Sequence, residues 1–504
     1  MSVHWPILRR LLRHPLRTVA VDDRRRWWAI DMLVGAAHLA AEIDRRSRSE
    51  TVAVLLPTSG AFPMAALAIW SLGRTVVPLN YLLSKDEVEW IVSHCGADLV
   101  VGHGMLEERL GWKVDNAQTL YLDEMSFKGM PELRFPALRS CDDLAALLYT
   151  SGTSGKPKGV MLTHGNLRSN IEQVRQWVHL TPTDVVLGAL PQFHSFGFTV
   201  LTLMPLAIGM KSVYTARFSP VKILELMREH RPTLFVGLPS MYNALGRAKS
   251  AEADDFSSLR FLVSGGEPLP DAVFELYQER FGVRLQEGYG LTETAPVTNW
   301  LRPEDFTRYS VGKPLRDIHE RIVDMETQRD LGPGLEGEIR ITGPNIMAGY
   351  YKDPAQTAEV FDELGYFRTG DMGKLDAQGR LYITGRIKEM LIVGGENVFP
   401  REIEEVVNKH PSVADSGVIG EPDPSRGETP VAFVELVEGA TFDEADIADF
   451  CATRLARHKT PRRIVHVKAL PRTATGKILR RMLKDLLPGS AQEKTPREKP
   501  AKRP

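Results

Sequence analysis

The chain has 504 residues, 43% apolar and 25% charged, with 63 Lys and Arg against 64 Asp and Glu for a formal charge of −1. That length predicts about three structural units around a large core, and the composition excludes a mainly disordered, collagenous or coiled-coil protein. Near-neutral charge excludes a general electrostatic footprint for nucleic acid or membrane.

The first 26 residues carry seven Arg against two Asp. They lack the apolar run and cleavage site of a secretory signal. This segment fits a solvated first helix, or an amphipathic contact with an anionic membrane surface. Residues 51–73 and 185–210 contain no charged residue, yet prolines, glycines and polar residues break both. Each falls short of the run of about 20 apolar residues that a spanning helix needs, so both read as buried core.

Residues 50–80 read strand, helix, strand (TVAVLL, FPMAALAIWSLG, TVVPLN), a βαβ unit that predicts parallel sheet. DLVVG at 98–102, TLFVG at 233–237 and LRFLVSGG at 259–266 add short buried strands. After about residue 310 short strands and glycine turns take over, and Asp376-Ala-Gln-Gly379 predicts a hairpin. From 386 the pattern returns to helix (EIEEVVNKH), two strands (ADSGVIGEP, TPVAFVELV) and helix (DEADIADFCATRLA). Residues 454–484 hold eleven Lys or Arg and no acid, a local excess suited to a polyanion or to a solvated basic face. The polar, proline-rich stretch 488–504 predicts a disordered tail. Cys95, Cys141 and Cys451 are too far apart for a CxxC pair, and no histidine spacing suggests zinc. A disulfide framework is not expected, which points to a reducing compartment.

The densest chemistry lies in YTSGTSGKPKGV at 149–160, with four Ser or Thr hydroxyls, three glycines and two lysines. Glycines let backbone N–H groups turn toward an anion, and the lysines add charge, which suits a pyrophosphate or triphosphate. The spacing is not that of a Walker A loop, because Gly152 is only three positions before Gly155 and Pro157 follows Lys156.

This motif resembles the phosphate loop of the AMP-forming adenylating superfamily, which includes acyl-CoA synthetases, peptide-synthetase adenylation domains and beetle luciferases. LPQFHSFG at 190–197, SGGEPLP at 264–270, EGYGLTET at 287–294, YFRTGD at 366–371, GRIKEMLIVGGENVFPREIE at 385–404 and PRTATGKILRR at 471–481 resemble the family's other motifs, in the same order. The resemblance implies an α/β fold. A large N-terminal domain, 1–385, would hold two α/β subdomains and a small β-barrel. A mobile α+β C-terminal domain, 386–487, would follow, and then the tail.

It also implies roles. Thr150, Ser151, Gly152, Thr153, Ser154, Gly155 and Lys158 would hold the β- and γ-phosphates of ATP. Thr292 would meet the α-phosphate and Glu293 would hold Mg²⁺, a hard cation that takes oxygen ligands. Tyr289 would lie against adenine beside backbone of Gly265, Gly266, Glu287 and Gly288. Asp371 would accept the ribose hydroxyls, with Arg386 nearby. Lys477 would bridge the attacking carboxylate and the α-phosphate. Lys388 would be the hinge of a rotation that brings Gly394 and Gly395 to the pantetheine of coenzyme A.

His194 would stand near the substrate carboxylate, with Phe193, Phe196 and Phe198 lining an apolar acyl pocket. Glu267 departs from the small residue many relatives carry. The implied activity converts a fatty or other hydrophobic acid to an acyl-adenylate and then a thioester of coenzyme A. Acyl carrier protein is the alternative acceptor, since FHSFG and GPNIMAGY also resemble carrier-protein ligases. A non-catalytic nucleotide-binding paralogue is the reading that Lys477, Glu293 and Asp371 argue against. The expected location is cytoplasmic, with at most peripheral contact at the inner face of a membrane.

Overall fold

The computed structural model describes residues 2–132, 134–150, 156–472 and 478–487. Of the expected site residues, Ser151, Gly152, Thr153, Ser154, Gly155 and Lys477 lie outside these, as does the tail at 488–504. The chain forms two compact units. One takes residues up to Leu269 with Val273–Thr369 and Gly373–Ile383; the other takes Thr384 onward with Pro270–Ala272 and Gly370–Met372.

Two sheets organise the first unit. The seven-stranded sheet runs, in spatial order, Gly349–Tyr350, Lys158–Thr163, Leu144–Thr150, Thr75–Pro78, Thr51–Val54, Leu99–Gly102 and Gln118–Tyr121. The predicted βαβ unit is its centre: Thr51–Val54 and Thr75–Pro78 pair in parallel, joined by the helix Ala61–Ser71. These strands are buried at every position, as expected of parallel strands covered on both faces.

The eight-stranded sheet runs Val297–Trp300, Gln286–Gly290, Phe261–Ser264, Leu234–Gly237, Val185–Gly188, Lys211–Tyr214, Thr18–Val21 and Arg26–Trp28. Local chemistry sets the helix ends. Ser84 caps Lys85–Cys95 in a reciprocal pair with Glu87, and Thr163 caps His164–Trp177 by accepting from the Asn166 N–H at 3.1 Å.

The uncharged stretch 185–210 is core, with one surprise. After the strand Val185–Gly188 the chain forms a π-helical turn, Gly197–Leu203, before the helix Met204–Ile208. Such widened turns occur often at functional sites. Gln192 fastens it, accepting from the Ser59 N–H (2.9 Å) and donating to Thr202 Oγ1 (3.1 Å). The turn also corrects one expectation. Phe198 is fully buried, edge-on to Phe62 and Trp70, and so belongs to the core rather than to a pocket wall.

A smaller sheet follows in the order His319–Val323, Gly337–Thr342, Phe367–Leu375, Leu381–Arg386. The predicted hairpin joins the last two strands, with Asp376 accepting from the N–H groups of Gln378 and Arg380. The second unit is built on Glu396–Val398, Leu391–Val393, Gly427–Leu436 and Val413–Asp423, with Arg463–His466 added in parallel to Gly427–Leu436. No helix among the described residues is long and apolar enough to cross a membrane.

Candidate functional site

Four parallel strands of the eight-stranded sheet end side by side, because Gly188 pairs with Val236, Gly237 with Ser264, and Ser264 with Glu287. The motifs LPQFHSFG, SGGEPLP and EGYGLTET leave from three of these ends. In open α/β sheets ligands bind at the carboxyl ends of the strands. Gly265 and Gly288 sit together here. A Cβ on Gly265 would lie 3.0 Å from the Phe196 ring and 3.6 Å from the Gly288 carbonyl oxygen, so glycine lets Phe196 pack onto the strand end. Tyr289 pairs with Asn299 and is half-buried. The Glu287 side chain ties this edge together, 2.8 Å from the Arg308 guanidinium and accepting from the Leu269 N–H.

Beyond Tyr289 the chain makes the short turn Thr292–Thr294. Its backbone is fixed from several sides. Leu291 N–H donates to the Pro296 carbonyl, Asn345 Nδ2 to the Thr294 carbonyl (2.7 Å), and Met347 N–H to the Glu293 carbonyl (2.8 Å). Asn170 exchanges both hydrogen bonds with the Val297 backbone, at 2.6 and 3.1 Å. Gly290 is dictated by space, since a Cβ there would overlap the Pro296 carbonyl oxygen. Thr292 Oγ1 donates to the buried Ser195 hydroxyl at 3.2 Å, joining this turn to the His194 segment. His194 itself is exposed, its Nδ1 facing the Phe196 N–H at 3.5 Å. Phe193 is buried, with Tyr81 edge-on to it at 4.9 Å.

The described flanks of the 149–160 motif meet the same turn. Thr150 ends its strand and pairs with Lys158 across the ladder. The Lys158 ammonium lies 5.6 Å from the centre of the Tyr350 ring, within cation–π range. The Tyr350 hydroxyl donates to Glu293 Oε1 at 2.9 Å. Burial, and then the adjacent carboxylate, hold this phenol above its ordinary range, so it stays protonated and donates. Tyr149, one residue earlier, bonds His94 Nδ1 at 2.8 Å, and Trp90 stacks on that imidazole at 4.6 Å. Lys158, Tyr350, Glu293, Thr292, Ser195, Phe196 and Gly265 thus form a continuous track. Tyr350 and Ser195 were not singled out from the sequence.

In the second unit, Arg386 Nε lies 3.0 Å from Asp371 Oδ1. Lys388 is exposed in the turn Ile387–Glu389. Gly394 and Gly395 form an exposed two-residue hairpin turn with φ of 64° and 88° and open space around both Cβ positions. Positive φ at both residues, not crowding, is what calls for glycine. The basic stretch 454–484 is less available than its charge suggested. Lys459 pairs with Glu402, Arg462 with Asp423, Arg463 with Glu421, and Arg472 with Asp415. Arg480 grips Glu404 through two nitrogens, at 3.1 and 2.7 Å, and Glu389 at 2.5 Å. Against the cost of burial, these carboxylates hold its guanidinium firmly charged. The polyanion reading of this whole stretch therefore fails for its paired members.

The residues present fit a magnesium ion. Glu293 offers a carboxylate oxygen donor on a turn fastened by backbone and phenol, next to the strands that flank the phosphate motif. Mg²⁺ on nucleotide phosphates needs only one or two protein carboxylates.

Comparisons with known proteins agree with this geometry. The AMP-binding enzyme family matches residues 9–351, and the AMP-binding enzyme C-terminal domain matches 402–477. The chain is 32% identical over 500 residues to a long-chain-fatty-acid–CoA ligase of Bacillus subtilis, covering 90% of this chain and 89% of the relative. It superposes with a TM-score of 0.87 on ATP-bound MatB from Rhodopseudomonas palustris, at 30% identity, covering 96% of this chain and 99% of that one. It superposes with 0.84 on the o-succinylbenzoate coenzyme A synthetase of Bacillus subtilis in complex with ATP and magnesium, at 29% identity, covering 95% and 99%.

Proposed function

The chain belongs to the AMP-binding enzyme family, as an AMP-forming acyl-CoA synthetase of the adenylate-forming superfamily, and from that footing we propose that it activates a hydrophobic carboxylic acid with ATP and passes the acyl group to coenzyme A. The carboxylate attacks the α-phosphorus, pyrophosphate leaves, and the thiol of coenzyme A then displaces AMP from the acyl-adenylate. A carboxylate is a poor acyl donor and adenylation supplies a leaving group. The barrier is the gathering of negative charge, so the protein acts by position and charge.

In this reading Thr150 and Lys158, with residues 151–155, hold the β- and γ-phosphates. Thr292 meets the α-phosphate, and Gly265, Gly266, Glu287, Gly288 and Tyr289 border the adenine. Asp371 and Arg386 serve the ribose, Lys477 serves the reacting carboxylate, and His194 stands at the mouth of the acyl pocket. Lys388 is the hinge, and Gly394 and Gly395 give the pantetheine arm its passage. Magnesium held at Glu293 would neutralise phosphate charge during the displacement. The observation that carries the proposal is the track from Lys158 through Tyr350 and Glu293 to Thr292 and Ser195, which links the expected phosphate, metal and acid segments through direct contacts.

A hydrophobic acid is favoured by the aromatic side chains around the His194 segment, Phe193 against Tyr81 and Phe196 over Gly265. Coenzyme A is favoured because the ligase relatives are named for it, one acting on long-chain fatty acids and one on o-succinylbenzoate. Acyl carrier protein finds no such support.

The test is pyrophosphate release with ATP and Mg²⁺ across acids from acetate to palmitate, with aryl and amino acids, with and without coenzyme A. Release that rises with apolar acids and with coenzyme A is expected. Release with amino acids alone refutes the acid class, and none with any acid refutes the activity. Lys477→Ala should slow adenylation by about 10²–10³-fold and spare thioester formation from a supplied acyl-adenylate.

A further inference from the structure

The first helix, His4–Arg13, buries His4, Ile7, Leu8 and Leu11 against the core. Its other side is unusual. Trp5, Arg9, Leu12 and Arg13 fall on one stripe at helical spacing, and Leu16 follows just past the helix end. Leu12 is 66% exposed and Leu16 74%. Backbone hydrogen bonds from Ala29 N–H to the Arg17 carbonyl and from Ile30 N–H to the Pro15 carbonyl bring exposed Trp28 and Ile30 alongside. At the other end the Trp5 ring meets Phe135 at a tilt, with centroids 5.5 Å apart, and Phe135 and Leu138 are both 78% exposed.

The charge on this surface is one-sided. Residues 1–17 hold four Arg and no acid. Among the described residues Arg9, Arg10, Arg13 and Arg17 enter no ion pair, whereas Arg134 in the neighbouring loop is matched by Asp44 and Glu132. Burial first, and then the like charges of Arg17, Arg13 and Arg175, pull the Arg10 guanidinium below its ordinary range. Exposed Leu and Trp interleaved with unneutralised Arg is the chemistry of a surface that lies in a lipid interface. The apolar side chains enter the acyl boundary while the guanidinium groups stay among anionic headgroups.

We propose that the outer stripe of this helix, with the flanking Trp28–Ile30 and Phe135–Leu138 segments, docks the protein onto an anionic lipid bilayer. This holds independently of which acid is activated.

Flotation of the full-length protein with phosphatidylcholine vesicles, with and without phosphatidylglycerol, at low and high salt, tests it. Binding is expected only with phosphatidylglycerol and should weaken as salt rises. Arg9→Gln with Arg13→Gln should cut the partition coefficient about fivefold per arginine, and Leu12→Ser with Leu16→Ser should weaken binding at every salt. Neither pair should change turnover of a water-soluble acid or the thermal midpoint, since all four side chains point outward. Binding that ignores lipid charge, or that both variants retain, overturns the proposal. So does a wild-type dimer that the leucine variant dissociates while neither form floats, which would make this face a contact between copies of the chain.

Discussion

Replacing Tyr350 by Phe removes one hydroxyl and keeps the ring that carries the Lys158 contact. What is lost is the 2.9 Å hydrogen bond to Glu293 Oε1. A hydrogen bond to a charged group is worth about 1.5–3 kcal/mol, which at about 1.4 kcal/mol per decade is about ten- to a hundredfold. Loss of a partner that orients a metal-binding carboxylate has the same span. Glu293 is partly exposed, so water can replace the phenol and the lower end applies. The expectation is a roughly tenfold rise in the Mg²⁺ concentration for half-maximal pyrophosphate release, with kcat restored at saturating Mg²⁺ and an almost unchanged thermal midpoint. The assay is a Mg²⁺ titration of pyrophosphate release at fixed saturating ATP and acid. An unchanged half-saturation point, or a loss of kcat that no Mg²⁺ concentration restores, would refute the view that Tyr350 orients the carboxylate.

Gly290→Ala should destabilise the protein by about 3 kcal/mol through overlap with backbone that cannot retreat, read as a lower urea midpoint, and should abolish adenylation with it. Arg480→Met should cost about 3–5 kcal/mol by leaving Glu404 and Glu389 without their cation, seen as early melting of the second unit in calorimetry. Burial holds His4 at about 4 and His164 at about 3, the latter also accepting from the Val3 N–H. Both fold as neutral bases, so their contribution is complete above pH 6.5 and is lost as pH falls toward those values, at up to about 1.4 kcal/mol per unit for each. Urea midpoints that stay flat from pH 7 to acid would refute this. Both carboxylate oxygens of Glu320 are buried, and burial, opposed slightly by Asn299, pushes its pKa up to about 8. Its contribution is therefore complete below the ordinary carboxyl range and fades as pH rises to about 8, and Glu320→Gln should flatten the alkaline side of the stability profile.

Sequence reading did best where chemistry is local. The glycines of SGGE and EGYG mark strand ends because a backbone approaches closely there, and Asp376-Ala-Gln-Gly379 marks a turn because Asp376 caps its own loop. It failed where the partner is far away along the chain. Tyr350 reaches back to Glu293 and Thr292 to Ser195, pairings that no periodicity announces. The basic stretch looked free because its acids, from Glu389 to Asp423, precede it by dozens of residues. Phe198 looked like a pocket wall because an apolar run does not say which of its faces meets Phe62 and Trp70. The π-helical turn was illegible for the same reason, since Gln192, Ser59 and Thr202 hold it only after two segments meet.

The strand order also constrains how the protein can be made. The Thr18–Val21 strand takes Lys211–Tyr214 as its parallel neighbour, and the Lys158–Thr163 strand is flanked on its outer side by Gly349–Tyr350. A ribosome adding about 5–20 residues per second needs roughly 10–40 seconds to cover either gap of about 190 residues. Until then each early strand presents unpaired N–H and C=O groups, an open edge on which a neighbouring nascent chain can pair. Synthesis speed and holdase chaperones should therefore govern the soluble yield of this protein more strongly than its final stability does.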